Sequence, residues 1–300
     1  MVTTAAPSPH RSHYENFPVA SLLLPREVRP HIAAVYAFAR AADDFADEGT
    51  LTSDERLRLL DGWADRLHDA ARTTVPGPPA RAGEPADTQQ LFLQLGATMR
   101  KKALPLDLFD ALLSAFRQDV TVHRYETWQD LRDYCRRSAN PVGRLVLRIT
   151  GYRDEKMDEW SDAICTALQL TNFWQDLRID VERGRLYVPG DDLRARGVDE
   201  QLPVGAALSA EWRAVIATLV ARTRRLFDEG RPLCSQVRGR LRLELRATWL
   251  GGTRILDRIE AAGFDALAHR PVIRRSDLPW FVGRLALWGW VKPSPAVHRG

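Results

Sequence analysis

Two acidic segments stand far apart in the chain, and their polar residues carry the spacing of one helical face. Asp43 and Asp47 are four residues apart, and Asn172, Asp176 and Asp180 follow one another at the same interval. Side chains at this spacing lie on one side of a helix, about 6 Å apart along its axis. Two such oxygen-rich faces can hold divalent cations between them, and the cations can hold a phosphate. The spacing therefore indicates magnesium-assisted diphosphate chemistry.

A solvated helix face is the alternative interpretation of aspartates at this spacing. Two features weaken it. The first segment lies in the last helical turn before Gly49, where carboxylates oppose the helix dipole. Apolar residues interleave the second segment and place it beside a buried stripe: Leu170, Phe173, Trp174 and Leu177. Because an uncompensated buried carboxylate is very costly and a hard cation compensates it, we favour a metal site.

The composition is that of a globular protein, with 45% hydrophobic and 27% charged residues in 300. No run of apolar residues reaches the roughly 18 that a membrane helix needs, and the first residues lack an apolar signal core. The three cysteines are odd in number and far apart, which predicts reduced thiols used in packing. We therefore expect a cytoplasmic protein, with contact to the inner face of the membrane left open.

The net charge is +4, and the basic residues are mostly arginine, which accounts for 39 of 43. The arginines cluster at 132–148 and 222–246. No helix-turn-helix, zinc or RNA-binding signature accompanies them, so we expect no nucleic-acid partner. Diphosphate or an anionic membrane surface suits these clusters at least as well.

Helical periodicity covers nearly the whole chain, and no run alternates with a period of two. An all-α single domain is therefore predicted for 13–291, between a disordered tail at 1–12 and a tail at 292–300. A loop is expected at 75–85 and a short extended piece at 185–189. The predicted helices are 30–48, 52–72, 88–103, 106–123, 127–138, 142–150, 154–181, 209–229, 233–250, 253–262 and 277–291.

The last of these helices is rich in aromatic residues, including Trp280, Phe281, Trp288 and Trp290. It could enter a membrane interface and help to collect a lipid-like substrate. A plain core helix is the interpretation that we favour from the sequence.

Three motifs resemble the squalene/phytoene synthase family of head-to-head prenyl synthases, and the resemblance runs from about His13 to Trp288. The first motif is Tyr36-Ala-Phe-Ala-Arg40 followed by Asp43-Asp44-x-x-Asp47-Glu48. The second is Gln169-x-x-Asn172-x-x-x-Asp176-x-x-x-Asp180, and Arg185-Leu-Tyr187-Val-Pro189 resembles the tail that follows it. The resemblance implies an isoprenoid-synthase-type helical bundle around a central cavity.

Two further segments are similar to the hopanoid-pathway branch of that family, the hydroxysqualene synthases. They are His13-Tyr-Glu-Asn-Phe-Pro-Val-Ala-Ser21 and Tyr134-Cys-Arg-Arg-Ser-Ala-Asn-Pro-Val-Gly-Arg144. Tyr14 and Asn140-Pro141 depart from the residues common in condensing members. The branch ionises presqualene diphosphate and traps the rearranged cation with water, so the resemblance implies this reaction and no need for NADPH. No G-x-G-x-x-G nucleotide fingerprint occurs.

The resemblance also assigns roles to individual residues. Two or three Mg²⁺ ions are expected on Asp43, Asp47, Asn172, Asp176 and Asp180. Contacts with the substrate are expected from Phe17, Arg40, Gln169, Phe173, Arg185 and Tyr187. Tyr36 and Tyr134 are expected to face the carbocation, and Asn140 or Tyr134 to hold the attacking water.

Several alternatives stay open at this point. Arg40 could instead form an intrahelical pair with Asp44, and Asn140 could serve only as a helix terminator. The whole protein could be a condensing squalene or phytoene synthase that joins two farnesyl or geranylgeranyl diphosphates. It could also be a non-catalytic helical assembly factor, although the retained aspartates weigh against that. Neighbouring isoprenoid-pathway enzymes are conceivable partners.

Overall fold

The structure, a computed structural model, describes residues 24–47, 49–199, 207–268 and 270–290. Phe17, Tyr14 and the predicted tails at 1–12 and 292–300 lie outside the described residues. The helices are α1 Arg29–Asp47, α2 Ser53–Arg72, α3 Thr88–Lys102, α4 Leu106–Thr121, α5 Trp128–Ser138, α6 Asn140–Ile149, α7 Glu155–Gln175, α8 Leu177–Glu182, α9 Gly190–Arg194, α10 Ala210–Gly230, α11 Leu233–Gln236, α12 Gly239–Ala261 and α13 Leu278–Ala286. Short 3₁₀ turns lie immediately before α13, at Arg275–Asp277, and after it, at Trp288–Trp290.

The predicted all-α class is confirmed, and local sequence signals explain most helix ends. Thr52 and Glu55 form the predicted capping box at the start of α2. Gly49 follows α1 with a φ of 77°, which glycine adopts without strain. The predicted helix 154–181 is interrupted at Asp176, so that α7 and α8 are separate helices. No helix in the described part of the chain is long and apolar enough to cross a membrane.

Helix α7 is the central element, and it packs against α5, α6, α10 and α12. From Ile164 to Trp174 every residue except Gln169 is buried. A helix buried on all sides must be enclosed by other helices, which explains why the bundle forms around it. On the other side, α1 packs against α2, α3 and α4 around the aromatic residues Phe38, Trp63, Phe92 and Phe109.

A backbone connection brings the tail after α8 alongside the end of α4. Leu186 donates from its backbone N–H to His123 O over 3.0 Å, and Arg124 and Leu186 form a parallel β-bridge. Gly190 N–H donates to Tyr125 O over 3.0 Å. The predicted extended piece at 185–189 is thereby fixed between α4 and α8.

The predicted helix end at Gly251 and Gly252 was wrong. Gly251 and Gly252 were expected to end a helix, but α12 continues through both residues. The reason is packing, because a Cβ on Gly252 would stand 2.3 Å from Phe227 Cζ. Phe227 is fully buried and cannot move aside. Gly252 therefore permits a close approach of α12 to α10 and does not break the helix.

These two adjacent glycines make a matched test of the close approach. Gly252→Ala should destabilise the fold by about 1–3 kcal/mol, because the new methyl group overpacks a closed site. Gly251→Ala should be neutral or stabilising by up to about 1 kcal/mol, since its Cβ would meet only Ile273 Cδ1 at 3.7 Å. Urea denaturation of both variants measures the difference. Equal stabilities would contradict the packing explanation.

Candidate active site

A cavity opens between α1, α4, α5, α7 and the tail after α8, and it contains about 710 Å³ of empty space including its mouth. Its lining joins charged, amide and aromatic side chains from segments that are distant in sequence. Eight of the predicted site residues line it: Asp43, Asp47, Tyr134, Gln169, Asn172, Phe173, Arg185 and Tyr187.

Arg185 links the two acidic segments. Its guanidinium donates to both carboxylate oxygens of Asp47, over 3.0 and 2.6 Å. The same guanidinium favours the charged form of Asp180, whereas Asp47 and Asp176 disfavour it. Arg185 is thus bonded to Asp47 of the first acidic segment and acts electrostatically on Asp180 of the second.

Arginines also hold the other carboxylates. Arg40 contacts Asp43 at 3.3 Å and Asp44 at 2.6 Å, so the intrahelical pair considered from the sequence does form. Arg270 forms a two-pronged ion pair with Asp176. Asp176 is almost fully buried, and one turn further along lies the equally buried Asp180.

A buried carboxyl group that the sequence analysis missed adjoins these residues. Tyr134 Oη donates to Asp119 Oδ2 over 3.0 Å, and Arg185 approaches the backbone carbonyl of Asp119 at 3.5 Å. Burial, and then the charge of Asp47, raise the pKa of Asp119 to about 7. Burial, followed by the charge of Asp119, raises the pKa of Tyr134 well above its usual range, so this phenol keeps its proton.

Burial and like charge also act on the predicted metal ligands. Burial, and then Asp47, raise the pKa of Asp43 well above its usual range. Burial, and then Asp176, raise the pKa of Asp180 to about 8. The cavity therefore holds more carboxyl groups than its own cations compensate, which is the condition that favours an added cation.

Three neighbouring aromatic rings, Tyr134, Phe173 and Tyr187, line one wall of the cavity, and Tyr125 packs against them. Phe173 and Tyr187 stack with their centroids 3.8 Å apart, Tyr134 lies 6.1 Å from Phe173, and Tyr125 lies 5.5 Å from Tyr134. Rings of this kind attract a cation over their faces when water is excluded. Tyr125 was not among the predicted residues.

A second cavity of about 680 Å³ is almost entirely apolar and lies between α1, α6 and α12. Tyr36 lines this cavity and not the acidic one, together with Ile32, Ala39 and Leu145. Val142 lines both cavities, so they meet at its side chain. The arrangement offers a charged end and an apolar end to one elongated molecule.

Asn140 lies elsewhere. It lines an outer groove that includes Arg132, Arg144 and Asp162, and its carboxamide oxygen accepts a hydrogen bond from Thr166 Oγ1 over 2.9 Å. The structure thus does not bring Asn140 to the acidic cavity. Ala139 caps α6, and the Asn140-Pro141 pair forms its first turn, which fits the alternative of a helix boundary.

The carboxylate and amide oxygens of the cavity fit a Mg²⁺ ion that is held partly by substrate phosphates. No group of three or more acidic, histidine or cysteine side chains in the described ranges converges on one point where a metal could sit. Mg²⁺ is commonly held by one or two carboxylates together with substrate phosphates, and the split acidic faces fit that pattern. Asp119 Oδ1, which is buried without a hydrogen-bond partner in the described structure, supplies a further oxygen.

Different signals would have found the missed residues. Asp119 occupies the apolar face of α4 in register with the buried Leu108, Leu112 and Phe116, and a carboxylate at such a position indicates a function. Arg270 follows α12 in an irregular segment, and nothing in its local sequence indicates its pairing with Asp176.

Together, the fold and the cavity define an all-α protein of the kind that handles a diphosphate joined to an apolar chain. A family model for squalene/phytoene synthases matches residues 10–277, and the chain belongs to that family. The chain is 36% identical over 250 residues to a hydroxysqualene synthase of Sinorhizobium fredii, covering 82% of this chain and 80% of that protein.

Another relative and a solved structure are also similar to this chain. A hydroxysqualene synthase of Rhodopseudomonas palustris is 34% identical over 261 residues, covering 85% of this chain and 82% of that protein. The crystal structure of squalene synthase HpnC from Alicyclobacillus acidocaldarius superposes with a TM-score of 0.72 and 42% identity, covering 85% of this chain and 91% of that one.

The raised pKa of Asp119 makes a prediction about stability in magnesium-free buffer. Folding shifts this pKa from 3.8 to about 7, so the proton is bound more tightly in the folded state. The stability contributed by that proton is complete below pH 4 and is lost as the pH rises through 7. Asp119→Asn does not titrate and still accepts the Tyr134 hydrogen bond. Its stability relative to the wild type should therefore rise between pH 4 and 8, by at most about 4 kcal/mol.

Thermal unfolding of both proteins across this pH range checks the expectation. Glu55→Gln, at an exposed helix cap, serves as a carboxylate control. A difference between Asp119→Asn and the wild type that stayed constant with pH would contradict the assignment.

Proposed function

We propose that the protein is a magnesium-dependent hydroxysqualene synthase that ionises presqualene diphosphate and traps the rearranged cation with water. The observation that carries the proposal is that two cavities adjoin at Val142, which lines both: one has an acidic, arginine-bridged end and an aromatic wall, and the other is apolar. Such a space matches a substrate with a diphosphate head and two long hydrocarbon chains. The names of the relatives that cover most of the chain support the same reaction.

The reaction balances without a redox partner. The carbon–oxygen bond to diphosphate breaks, and the leaving group takes the electron pair. The cyclopropylcarbinyl cation rearranges, a water oxygen forms the new carbon–oxygen bond, and that water loses a proton. Hydroxysqualene, diphosphate and a proton are the products, so no NADPH is needed.

The residues of the chain divide this work between them. The predicted ligands Asp43, Asp47, Asn172, Asp176 and Asp180 would hold Mg²⁺, which supplies Lewis-acid stabilisation of the leaving diphosphate when bound. Arg185 and Arg270 neutralise the buried aspartates and can turn their guanidinium groups towards phosphate oxygens, as arginine forks do. Arg40 and Gln169 stand beside the same end of the cavity.

The aromatic residues of the cavity would stabilise the carbocation. Phe173, Tyr187 and Tyr134 line the cavity, and their burial limits the access of bulk water. Each cation–ring contact in a desolvated site contributes about 1–2 kcal/mol. Tyr36 faces the apolar chamber and is placed to contact a hydrocarbon chain, and Phe17 stays a predicted contact outside the described residues.

Water capture is assigned to the Asp119–Tyr134 pair. A carboxyl group with a pKa of about 7 can accept a proton from a water near neutral pH, and the Tyr134 hydroxyl holds that carboxyl in place. The family resemblance assigns the attacking water to Asn140 or Tyr134. The side chain of Asn140 is turned to the outer groove, so the structure supports Tyr134 for this part of the proposal.

The proposal also includes the location of the enzyme and the source of its substrate. We infer a cytoplasmic protein that receives its substrate from neighbouring isoprenoid-pathway enzymes. A condensing squalene or phytoene synthase is the second candidate function, because members of both groups share this fold. The retained acidic residues argue against a non-catalytic assembly factor.

Product analysis separates the two enzyme functions. With presqualene diphosphate and Mg²⁺ but without NADPH, the wild type should form hydroxysqualene, and Asp176→Asn should lose at least about a hundredfold in rate because a phosphate-holding ion is lost. Arg178→Gln, an exposed change two residues away, is the matched control and should stay active. Presqualene or phytoene formed from a prenyl diphosphate, with no turnover of presqualene diphosphate, would establish the condensing function instead.

A second pair of variants tests which residue handles the water. Asn140→Ala should leave the yield of hydroxysqualene within a few fold of the wild type, because its side chain is directed away from the acidic cavity. Tyr134→Phe should reduce hydroxysqualene and increase elimination products, since the carboxyl group loses its positioning hydrogen bond. Chromatography of the extracted products measures both. The opposite pattern would return the role to Asn140.

A further inference from the structure

Helix α13 presents an apolar face to solvent. None of its residues is buried, and Leu278 and Val282, one helical turn apart, are 64% and 60% exposed. Leu287 just beyond the helix is 57% exposed. Apart from Arg284, every exposed residue of α13 is apolar: Leu278, Pro279, Val282, Gly283 and Ala286. The core helix that the sequence favours here is thus not what the structure contains.

Tryptophan and arginine side chains border this face. Arg254 and Arg284 stack on Trp280 at 5.0 and 5.5 Å from the ring centroid. Arg231 and Arg246 stack on Trp288 at 5.1 and 5.0 Å, but this ring is buried, so Trp280 is the tryptophan at the border of the face. An apolar surface with a rim of tryptophan and arginine is typical of protein segments at a membrane interface, where the rings lie at headgroup depth.

The charge around the face is strongly positive. Residues 270–290 contain four arginines and one acidic residue, Asp277. Asp277 is buried and already paired with Arg254 and Arg258. Burial, and then the nearby Arg242, lower the pKa of Arg246, which reflects the accumulation of positive charge on α12. This charge complements an anionic surface.

We propose that the α13 face, defined as Leu278, Val282 and Leu287 with its arginine rim, docks reversibly on an anionic phospholipid bilayer. A nine-residue helix is about 14 Å long and offers on the order of 150 Å². A stable protein interface needs about 800 Å² from each partner, so the face is too small for a second protein chain. A bilayer needs only shallow insertion of a few side chains with basic residues around them.

The position of the face connects it to the cavity. The segment that leads into α13 begins at Arg270, which holds Asp176 of the acidic end. A docked α13 is therefore connected through this segment to a residue of the acidic end. The binding itself requires neither substrate nor Mg²⁺, so its failure is distinguishable from a failure of the proposed reaction.

Vesicle flotation of the full chain tests the proposal. The wild type should float with vesicles of phosphatidylglycerol and phosphatidylcholine but not with phosphatidylcholine alone, and 0.5 M salt should release it. The double variant Leu278→Glu/Val282→Glu should bind at least tenfold less. Val75→Glu, which changes an equally exposed residue in the loop after α2, should bind as the wild type does. Circular dichroism checks that the variants fold.

A labelling measurement is independent of that double variant. The three native cysteines are buried, so Leu278→Cys provides a single accessible thiol for an environment-sensitive fluorophore. Its emission should shift to the blue when anionic vesicles are added. No flotation of the wild type, or no emission shift, would overturn the proposal. So would light scattering that shows a dimer converted to monomer by Leu278→Glu/Val282→Glu, because the face would then belong to a second copy of the chain.

Discussion

The ion pair between Arg185 and Asp47 is the contact on which the site depends, because it draws the two acidic segments together. Asp47 and the buried Asp180 disfavour each other's charge, and Arg185 favours both charges. The Arg185–Asp47 pair is half-buried, so its loss would leave a carboxylate that is only partly reached by water. The β-bridge between Arg124 and Leu186 holds Arg185 in place from outside the acidic segments. The charged end is therefore fixed by backbone hydrogen bonds as well as by electrostatics.

From this contact follows the separation of the interior into two environments. The carboxylates and arginines gather at one end, whereas the chamber beyond Val142 is lined mainly by aliphatic side chains from α1, α6 and α12. A dry chamber strengthens the electrostatic interactions at the charged end, because the local dielectric constant is lower there than in water. The aromatic residues Phe173 and Tyr187 line the acidic cavity, and Val142 lines both cavities. The same arrangement explains why the pKa of Asp119 is raised to about 7, since burial, and then Asp47, disfavour its charge.

Much of this organisation could be predicted from the sequence. Helix periodicity, the capping box at Thr52 and the four-residue spacing of the aspartates gave the fold class, most helix bounds and the acidic segments. Contacts between distant segments could not be predicted in the same way. Whether Gly252 breaks a helix depends on Phe227 in another helix, and the partner of Asp176 comes from an irregular segment 94 residues further along. Asn140 was placed by its position in a motif, but the face of α6 on which it lies is set by packing against α7.

The dominance of arginine over lysine is understandable from the same contacts. A guanidinium group is planar and donates two parallel hydrogen bonds, so it can neutralise a half-buried carboxylate as Arg185 does with Asp47 and Arg144 does with Asp162. It is also weakly hydrated and stacks its plane on aromatic rings, as Arg254 does on Trp280. The ammonium group of lysine lacks this planar fork. One side-chain type therefore meets both electrostatic demands on this chain, the compensation of carboxylates inside the bundle and a basic rim around the apolar surface of α13.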